Sequence, residues 1–322
     1  MAAAPAAPSA PPDAGVFAVP RPIRSLFNLF PLCTYGPEPL PVRAPDRSRP
    51  RAKLYVFSSH EDALQGRPSF NPTCLKWQVR RPPPSNLKPQ TPDPHDPRAS
   101  DRKQNKNHQT YLRMANIEVD LVPSTNHASP SGALPFLLPP STDSRPDIAL
   151  TGSKIAHYAQ KHSTYSPIRE STSPRTEAYL SLMAQSIRPA WLHALYISPR
   201  HTALLTSLYL PPSRLVSTPL LHTLRSAATA EILKTTRRPF LVPAQLYADA
   251  RTAFRALDTL LSSDEWFFGA HEPGLFDADV FAYTHLILDA SFGWQDDALR
   301  ACLDDCENLA EHRQRCYERC WH

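Results

Sequence analysis

The sequence predicts an α+β chain, with a mixed β/α half followed by an all-helical half. Three observations predict it. Between residues 51 and 165, short apolar runs of strand length alternate with helical patterns, in the order β-α-β and then β-β-α. From about residue 172 onward, helical patterns dominate. Two proline-rich stretches, 1–50 and 80–108, stand apart from both halves and build no core. The expected organisation is an N-terminal extension over 1–50, a β/α domain over 51–165 carrying the insertion 80–108, and a helical domain over 170–322.

The bounds set by composition agree. A chain of 322 residues that is 41% apolar can bury the cores of two domains. With only 8 glycines it contains neither GxGxxG nor GxxxxGK[ST], so the common nucleotide-binding loops are absent. The net charge of +5 favours acidic partners or an anionic membrane surface, and is too weak and scattered to argue for nucleic acid. No apolar run is long enough to span a bilayer as a helix. The N-terminus lacks the charged start and unbroken apolar core of a secretory signal, and its first basic residue is Arg21, which speaks against a matrix transit peptide. A soluble or peripheral protein is expected.

The elements follow in chain order. Residues 1–50 hold twelve prolines and tend to extended or disordered chain. Within them Ile23, Leu26, Phe27 and Phe30 fall at i, i+3, i+4 and i+7, one apolar helical stripe between Pro22 and Pro31. So short a helix is marginal alone and is expected to dock, on this chain's own surface, on a partner's groove or at a lipid interface. "KLYVFSS" (53–59) reads as a buried strand, and Pro72 as the first turn of a helix. The insertion 80–108 has seven prolines and seven Lys/Arg against three Asp. It reads as a solvated loop or as a basic arm for acidic protein or anionic lipid, with Arg80, Arg81, Lys103 and Lys106 among its contacts. "YLRMANIEVDLVPS" (111–124) resumes helix and then strand. There Ile117, Val119 and Leu121 alternate with Glu118 and Asp120, the period of a strand with one solvated face. "ASPSGALPFLL" (128–138) gives a turn, a proline and a strand, "DIAL" (147–150) another strand, and "TGSKIAHYAQKH" (151–162) a helix with Ile155, Ala156 and Ala159 inward. In the helical half, 177–195 reads as a helix kinked by Pro189. Residues 247–263 form a second helix with Ala250, Phe254, Leu257 and Leu261 as its apolar stripe. Residues 266–289 hold a turn and a third helix, and the tail is helical from Asp296.

Two cysteine arrangements are candidates for chemistry. Cys74 lies two residues after Pro72, in the field of a helix N-terminus, where a thiolate is stabilised; a packed thiol is the plainer account. Ser58 and Ser59 follow the first strand without an activating partner nearby in sequence. The run "CLDDCENLAEHRQRCYERC" (302–320) holds two CxxxC pairs, Cys302 with Cys306 and Cys316 with Cys320. On one continuous helix the four thiols share a face flanked by Leu299, Leu303 and Leu309. A hairpin stapled by two disulfides, as in small chaperones of the mitochondrial intermembrane space, is the rival reading. A metal site with His312 or His322 is a third, although the spacing is not that of a compact zinc knuckle. No HExxH or GxSxG is present, and no catalytic, cofactor-binding or metal-ligating residue is assigned.

Three stretches carry a family resemblance: "SPSGALPFL" (129–137), "RTEAYLSLMAQSI" (175–187) and "WFFGAHEPGLFDADVFAYTHLIL" (266–288). Over about residues 53–290 the chain resembles the metaxin family, a divergent branch of the glutathione-transferase fold, and is most similar to its smaller, metaxin-2-type members of fungi. The resemblance implies a thioredoxin-like N-terminal domain and an all-α C-terminal domain. It places the cis-proline of the fold at Pro135, and the cap and backward-bonding acid of a buried helix at Gly274 and Asp277. Enzymes of the fold hold glutathione by an acidic residue followed by Ser, at the start of the helix after the fourth strand. This chain has Thr151-Gly152 at the matching place, so that anchor is expected to be missing. The resemblance implies no cofactor and no catalysis. It implies instead a peripheral subunit on the cytosolic face of the mitochondrial outer membrane, in the sorting and assembly machinery. The implied partners are its membrane β-barrel subunit, a second metaxin-like chain, β-barrel precursor polypeptides and the membrane surface itself. The strand bearing Ile117, Val119 and Leu121 is the candidate edge for an extended precursor segment. A glutathione-transferase-like enzyme and a disulfide-stapled intermembrane-space protein are the alternatives.

Overall fold

The computed structural model describes residues 49–78, 119–162 and 173–321, which fall within one compact unit, Pro45–His322. The stripe of Ile23, Leu26, Phe27 and Phe30, the basic positions Arg80, Arg81, Lys103 and Lys106, and Ile117 lie outside the described residues.

The sheet is built on β1 (Ala52–Val56), whose Leu54, Tyr55 and Val56 are buried. It is shorter than the run 53–59 suggests, because Ser59 caps a helix: its Oγ accepts the N–H of Asp62 at 3.0 Å and opens α1 (His60–Gln65). Gly66, at φ 66°, ends that helix in the left-handed conformation glycine allows. Pro72 then begins α2 (Pro72–Leu75), with Asn71 as N-cap, and a 3₁₀ turn, Lys76–Gln78, follows. β2 (Val119–Pro123) pairs parallel with β1, Ala52 opposite Val119 and Val56 opposite Pro123. β3 (Phe136–Leu138) runs antiparallel to β1, and β4 (Leu150–Thr151) antiparallel to β3, giving the order β2-β1-β3-β4. The central strands carry the apolar load: Tyr55 and Phe136 stack at 4.3 Å across β1 and β3. β2 departs from the expected alternation, since Val119 is buried but Asp120, Leu121, Val122 and Pro123 are all half-buried. β4 keeps only two residues, shifted one position past the run 147–150. α3 (Ser153–His162) buries Ile155, Ala156 and Ala159, as the 3.6-residue period predicts.

The helical half opens with α4 (Pro174–Leu182), started by Ser173, whose Oγ accepts the N–H of Thr176. Around Pro189, where a kink is expected, the helix takes wider turns. π-helical turns at Met183–Ile187 and His193–Ile197 flank α5 (Arg188–Leu192), and the chain stays helical through Pro189. A widened turn makes room for a proline ring and dispenses with its missing donor. α6 (Thr202–Tyr209) and the long α7 (Arg214–Thr236) follow. α8 (Pro243–Leu261) buries Ala250, Phe254, Leu257 and Leu261 completely, the four positions of its apolar stripe. α9 (Leu275–Leu288) is buried nearly all round, as befits the central helix of an all-α layer.

The tail corrects the expectation of one helix from Asp296. A single 3₁₀ turn, Arg300–Cys302, is followed by α10 (Glu307–Trp321). Asp258 of α8 sets the start of α10: it accepts the N–H of Leu309 at 2.9 Å and the side-chain amide of Asn308 at 2.9 Å. A cap supplied from another helix leaves no mark in local sequence.

One apolar core runs through both halves, from Leu54 and Phe136 through Phe254 and Phe281 to Leu309. Lys76 pairs with Asp279 of α9 at 3.1 Å, and Trp321 Nε1 donates to the Gly66 carbonyl at 2.9 Å, so the C-terminal helices are bonded to the sheet half.

Candidate functional site

The place where this architecture puts chemistry is the loop side of the sheet, beyond the C-terminal ends of β1 and β2, closed by the loop into β3 and the start of α3. Its residues are built from below. The Leu134–Pro135 bond is cis, so Pro135 enters β3 immediately before the buried Phe136. The Leu134 N–H is donated to Asn126 Oδ1 at 3.0 Å, and is thereby occupied within the chain. Ser58 and Ser124, just past β1 and β2, keep buried hydroxyls with no hydrogen-bond partner. Ser124 donates its backbone N–H to Val56 at 2.9 Å, which fixes the two strand ends side by side.

Cys74 sits beneath this surface. Asn71 Oδ1 accepts the N–H of Thr73 at 3.0 Å, and its amide donates to Tyr209 Oη at 2.9 Å, so the first turn of α2 is tied to α6. Phe57 and Phe70 each pack edge-on against Tyr209, with ring centroids 5.1 Å apart. The Cys74 thiol is fully buried, and its one backbone donor is the Phe57 N–H at 3.5 Å. Burial pushes the thiol up to about 12, and the hydrogen bonds from Phe57, Thr73 and Ser69 only partly oppose it. A four-residue helix does not offset that desolvation, and at neutral pH the group is a protonated thiol.

The helix start after β4 revises one expectation. β4 ends at Thr151, Gly152 takes φ +54°, and α3 begins at Ser153. The place matching an acidic residue followed by Ser is therefore Gly152-Ser153, one position later than Thr151-Gly152. The carboxylate is missing, but an exposed serine hydroxyl is kept at the helix start.

A second cluster lies in the helical half. Asp277 is buried and accepts three hydrogen bonds: Gly274 N–H to Oδ2 at 2.8 Å, Phe267 N–H to Oδ1 at 3.1 Å, and His312 Nε2 to Oδ1 at 3.0 Å. The first is the backward bond at the N-terminus of α9; Gly274, as N-cap, contributes no side chain to it. Cys316 Sγ lies 3.6 Å from the same His312 Nε2 and 4.0 Å from Nδ1, which completes a Cys-His-Asp trio that no sequence motif announces. The trio is not built for attack. The nitrogen nearest the thiol is the one bonded to the carboxylate, all three groups are buried, and burial with the Asp277 charge holds the Cys316 thiol well above its usual range. Its work is to join α9, the 267–269 turn and α10.

Cys74, Cys302, Cys306, Cys316 and Cys320 are buried free thiols. Because α10 starts at Glu307, Cys302 and Cys306 lie ahead of it while Cys316 and Cys320 lie on it, and the single helical face of four thiols does not form. Among the described residues no three His, Cys, Asp or Glu are arranged to hold a metal ion.

Comparison with known proteins bears on this geometry. The family model "Glutathione S-transferase N-terminal domain" matches residues 107–201, and "Glutathione S-transferase, C-terminal domain" matches residues 250–316. The chain has a glutathione-transferase-like fold. Similar solved structures include a glutathione S-transferase from Xanthobacter autotrophicus, at 14% identity over 83% of this chain and 92% of that one, TM-score 0.41. A second is a glutathione S-transferase of Ceriporiopsis subvermispora in complex with glutathione, at 14% identity over 80% and 97%, TM-score 0.45. No curated protein matches the sequence. In this glutathione-transferase-like frame, Pro135 stands at the entry to β3 and Gly152-Ser153 at the start of α3. Sequence reasoning missed Ser153, which a register one residue later would have found, and His312 as the partner of Asp277, which no local signal marks.

Proposed function

We propose that the chain is a non-catalytic, metaxin-like peripheral subunit of the mitochondrial outer-membrane sorting and assembly machinery, which receives β-barrel precursors beside the membrane-embedded barrel. The observation that carries the reading is a glutathione-transferase-like fold whose reactive place has been disarmed. Cys74 is a buried thiol near pKa 12, and Gly152 replaces the anchoring acid. What remains available is surface, and β2 has a strand neighbour on one side only among the described residues.

The test is a native pull-down of the tagged chain from gently solubilised outer membranes. Recovery with a β-barrel membrane protein and a second metaxin-like chain is expected; recovery alone overturns the reading. Cys74 should resist maleimide in the native protein at neutral pH and react on unfolding.

One observation favours a second reading, a glutathione-transferase-like enzyme: the Ser153 hydroxyl is kept and exposed at the start of α3, beside a sheet end with unpartnered serine hydroxyls. Glutathione conjugation of an electrophilic aryl halide, lost in Ser153→Ala, is the outcome that reading requires.

A further inference from the structure

α7 is the longest helix described, about 33 Å from end to end, and it presents an unusual outer face. Its inner face is short: Ala228 and Ile232 are its buried residues, with Leu221 and Leu224 half-buried on the same side. The opposite stripe, at about 100° per residue, carries Leu215, Val216, Pro219, Leu220, Ala227 and Ala230, all exposed. Leu215 is 90% exposed, and Phe240, just past the helix, is 66% exposed. The one acidic residue of the helix, Glu231, stands at the rim of this stripe, one turn past Ala227. The charges at its ends are basic: Arg214 at the start, Lys234 in the last turn and Arg237 as the C-cap.

The charge of the region is as lopsided as its exposure. Residues 198–242 contain six Lys/Arg and a single acid, Glu231, an excess of five that equals the net charge of the whole chain, +5. Glu231, with its side chain 45% exposed at the rim of the stripe, is paired with Arg188 of α5 at 3.6 Å. Arg238 and Arg225 are engaged inward, with Asp249 and with the Tyr196 carbonyl. Arg214, Lys234 and Arg237 make no ion pair among the described residues.

We propose that the outer face of α7, with Phe240, is the surface by which this protein lies on an anionic membrane. A helix with bulky apolar residues outward, basic ends and its single acid held in an ion pair binds at the boundary between headgroups and acyl chains. There its leucines leave water and its cations meet lipid phosphates. A partner protein's groove would take the leucines equally well, but gives no reason for the purge of acids along 45 residues of chain. No described helix is long and apolar enough to cross a membrane, which leaves a surface contact as the mode of attachment available to α7. The proposal rests on the peripheral-membrane part of the function proposed above, and assigns that attachment to named residues.

The experiment is flotation of the purified full chain with vesicles of two compositions: phosphatidylcholine alone, and phosphatidylcholine with phosphatidylinositol in equal parts. Binding to the second and not the first, weakened by salt, is expected. Leu215→Ser with Leu220→Ser should lower partition onto the anionic vesicles at least tenfold; Leu215 is 90% exposed and Leu220 36%, so an unchanged circular-dichroism spectrum is the accompanying control that the helix is intact. Lys234→Glu with Arg237→Glu should lower it by about fivefold per residue. Unchanged binding in both variants overturns the proposal, as does wild-type binding to neither vesicle. A dimer in light scattering that the leucine variant dissociates assigns the face to self-association instead. The pull-down separates this proposal from the proposed function: vesicle binding without recovery of a barrel partner retains the membrane surface and removes the sorting role.

Discussion

Asp277 shows how much a single side chain can hold in this fold. Its two oxygens accept from a helix N-terminus, a turn and a histidine on another helix. Removing it leaves two buried donors and one half-buried donor without their acceptor, and the cost of breaking such a constellation is about 3–5 kcal/mol. Asp277→Ala should lose that much in urea unfolding, and Asp277→Asn less, because one oxygen remains to accept. His285 presents the opposite case. It is buried, its Nδ1 has no partner, and its ring stacks between Phe281 at 5.1 Å and Tyr317 at 5.3 Å. Burial first, and the charge of Arg313 second, lower it from 6.5 to about 4. The unfolded chain thus takes up this proton near pH 6.5 and the folded chain only near pH 4. Between those values unfolding binds a proton, and stability falls as the pH falls, by up to about 3 kcal/mol across the window. His285→Phe keeps the stack and removes both the orphan nitrogen and the titration. Its unfolding free energy should slope less than the wild type's through that interval, the remainder coming from His193, which burial also lowers. An equal slope in both proteins would assign the effect to another group.

At the level of elements, what the sequence reveals depends on how local the cause is. The stripe of Ala250, Phe254, Leu257 and Leu261 is legible because one helix meets one core with one period. Pro135 and Asp277 are legible only through the family resemblance, since their value lies in a cis bond and in distant partners. The start of α10 is set by Asp258, some fifty residues earlier, so the helical pattern from Asp296 misleads. The turns around Pro189 are similar: the sequence states that an ordinary helix cannot continue, not that the backbone widens to accommodate it. α7 escapes notice because its outward leucines blur the very periodicity that would announce it. β2 is legible as a strand, and its place at the sheet edge gives it a testable role under the proposed function. Ser124 N–H faces β1, so by the two-residue period the amides of Val119 and Leu121 point to the open side, where Pro123 needs none. Leu121→Pro removes an outward donor while sparing the ladder to β1. The variant should fold, and should fail to retain an immobilised β-barrel precursor peptide that the wild type retains. Retention by a folded variant would move precursor recognition off this edge.

The described residues, all within Pro45–His322, behave as one unit because the sheet half and the helical half have no separate cores. Buried residues of the sheet half and of the helical half form a single cluster, and α9 and α10 lie where they meet. Trp321 is the outermost of these links. It stacks on Phe281 at 5.7 Å and on Tyr317 at 5.6 Å, and its Nε1 reaches back 255 residues to the Gly66 carbonyl, the end of α1. Losing that ring removes an aromatic contact and a bond between halves at once, at a cost of about 2 kcal/mol for a half-buried tryptophan, below the range for a fully buried one. If the halves were independent, Trp321→Ala would shift the helical transition and leave the sheet behind. A shared core predicts otherwise. Far-ultraviolet circular dichroism, which follows the helices, and maleimide labelling of Cys74, which reports opening of the sheet half, should trace one coincident urea transition in wild type. In Trp321→Ala both should move to lower urea together. Cys74 labelling that kept its wild-type midpoint while the helices melted early would show two folding units where the packing gives one.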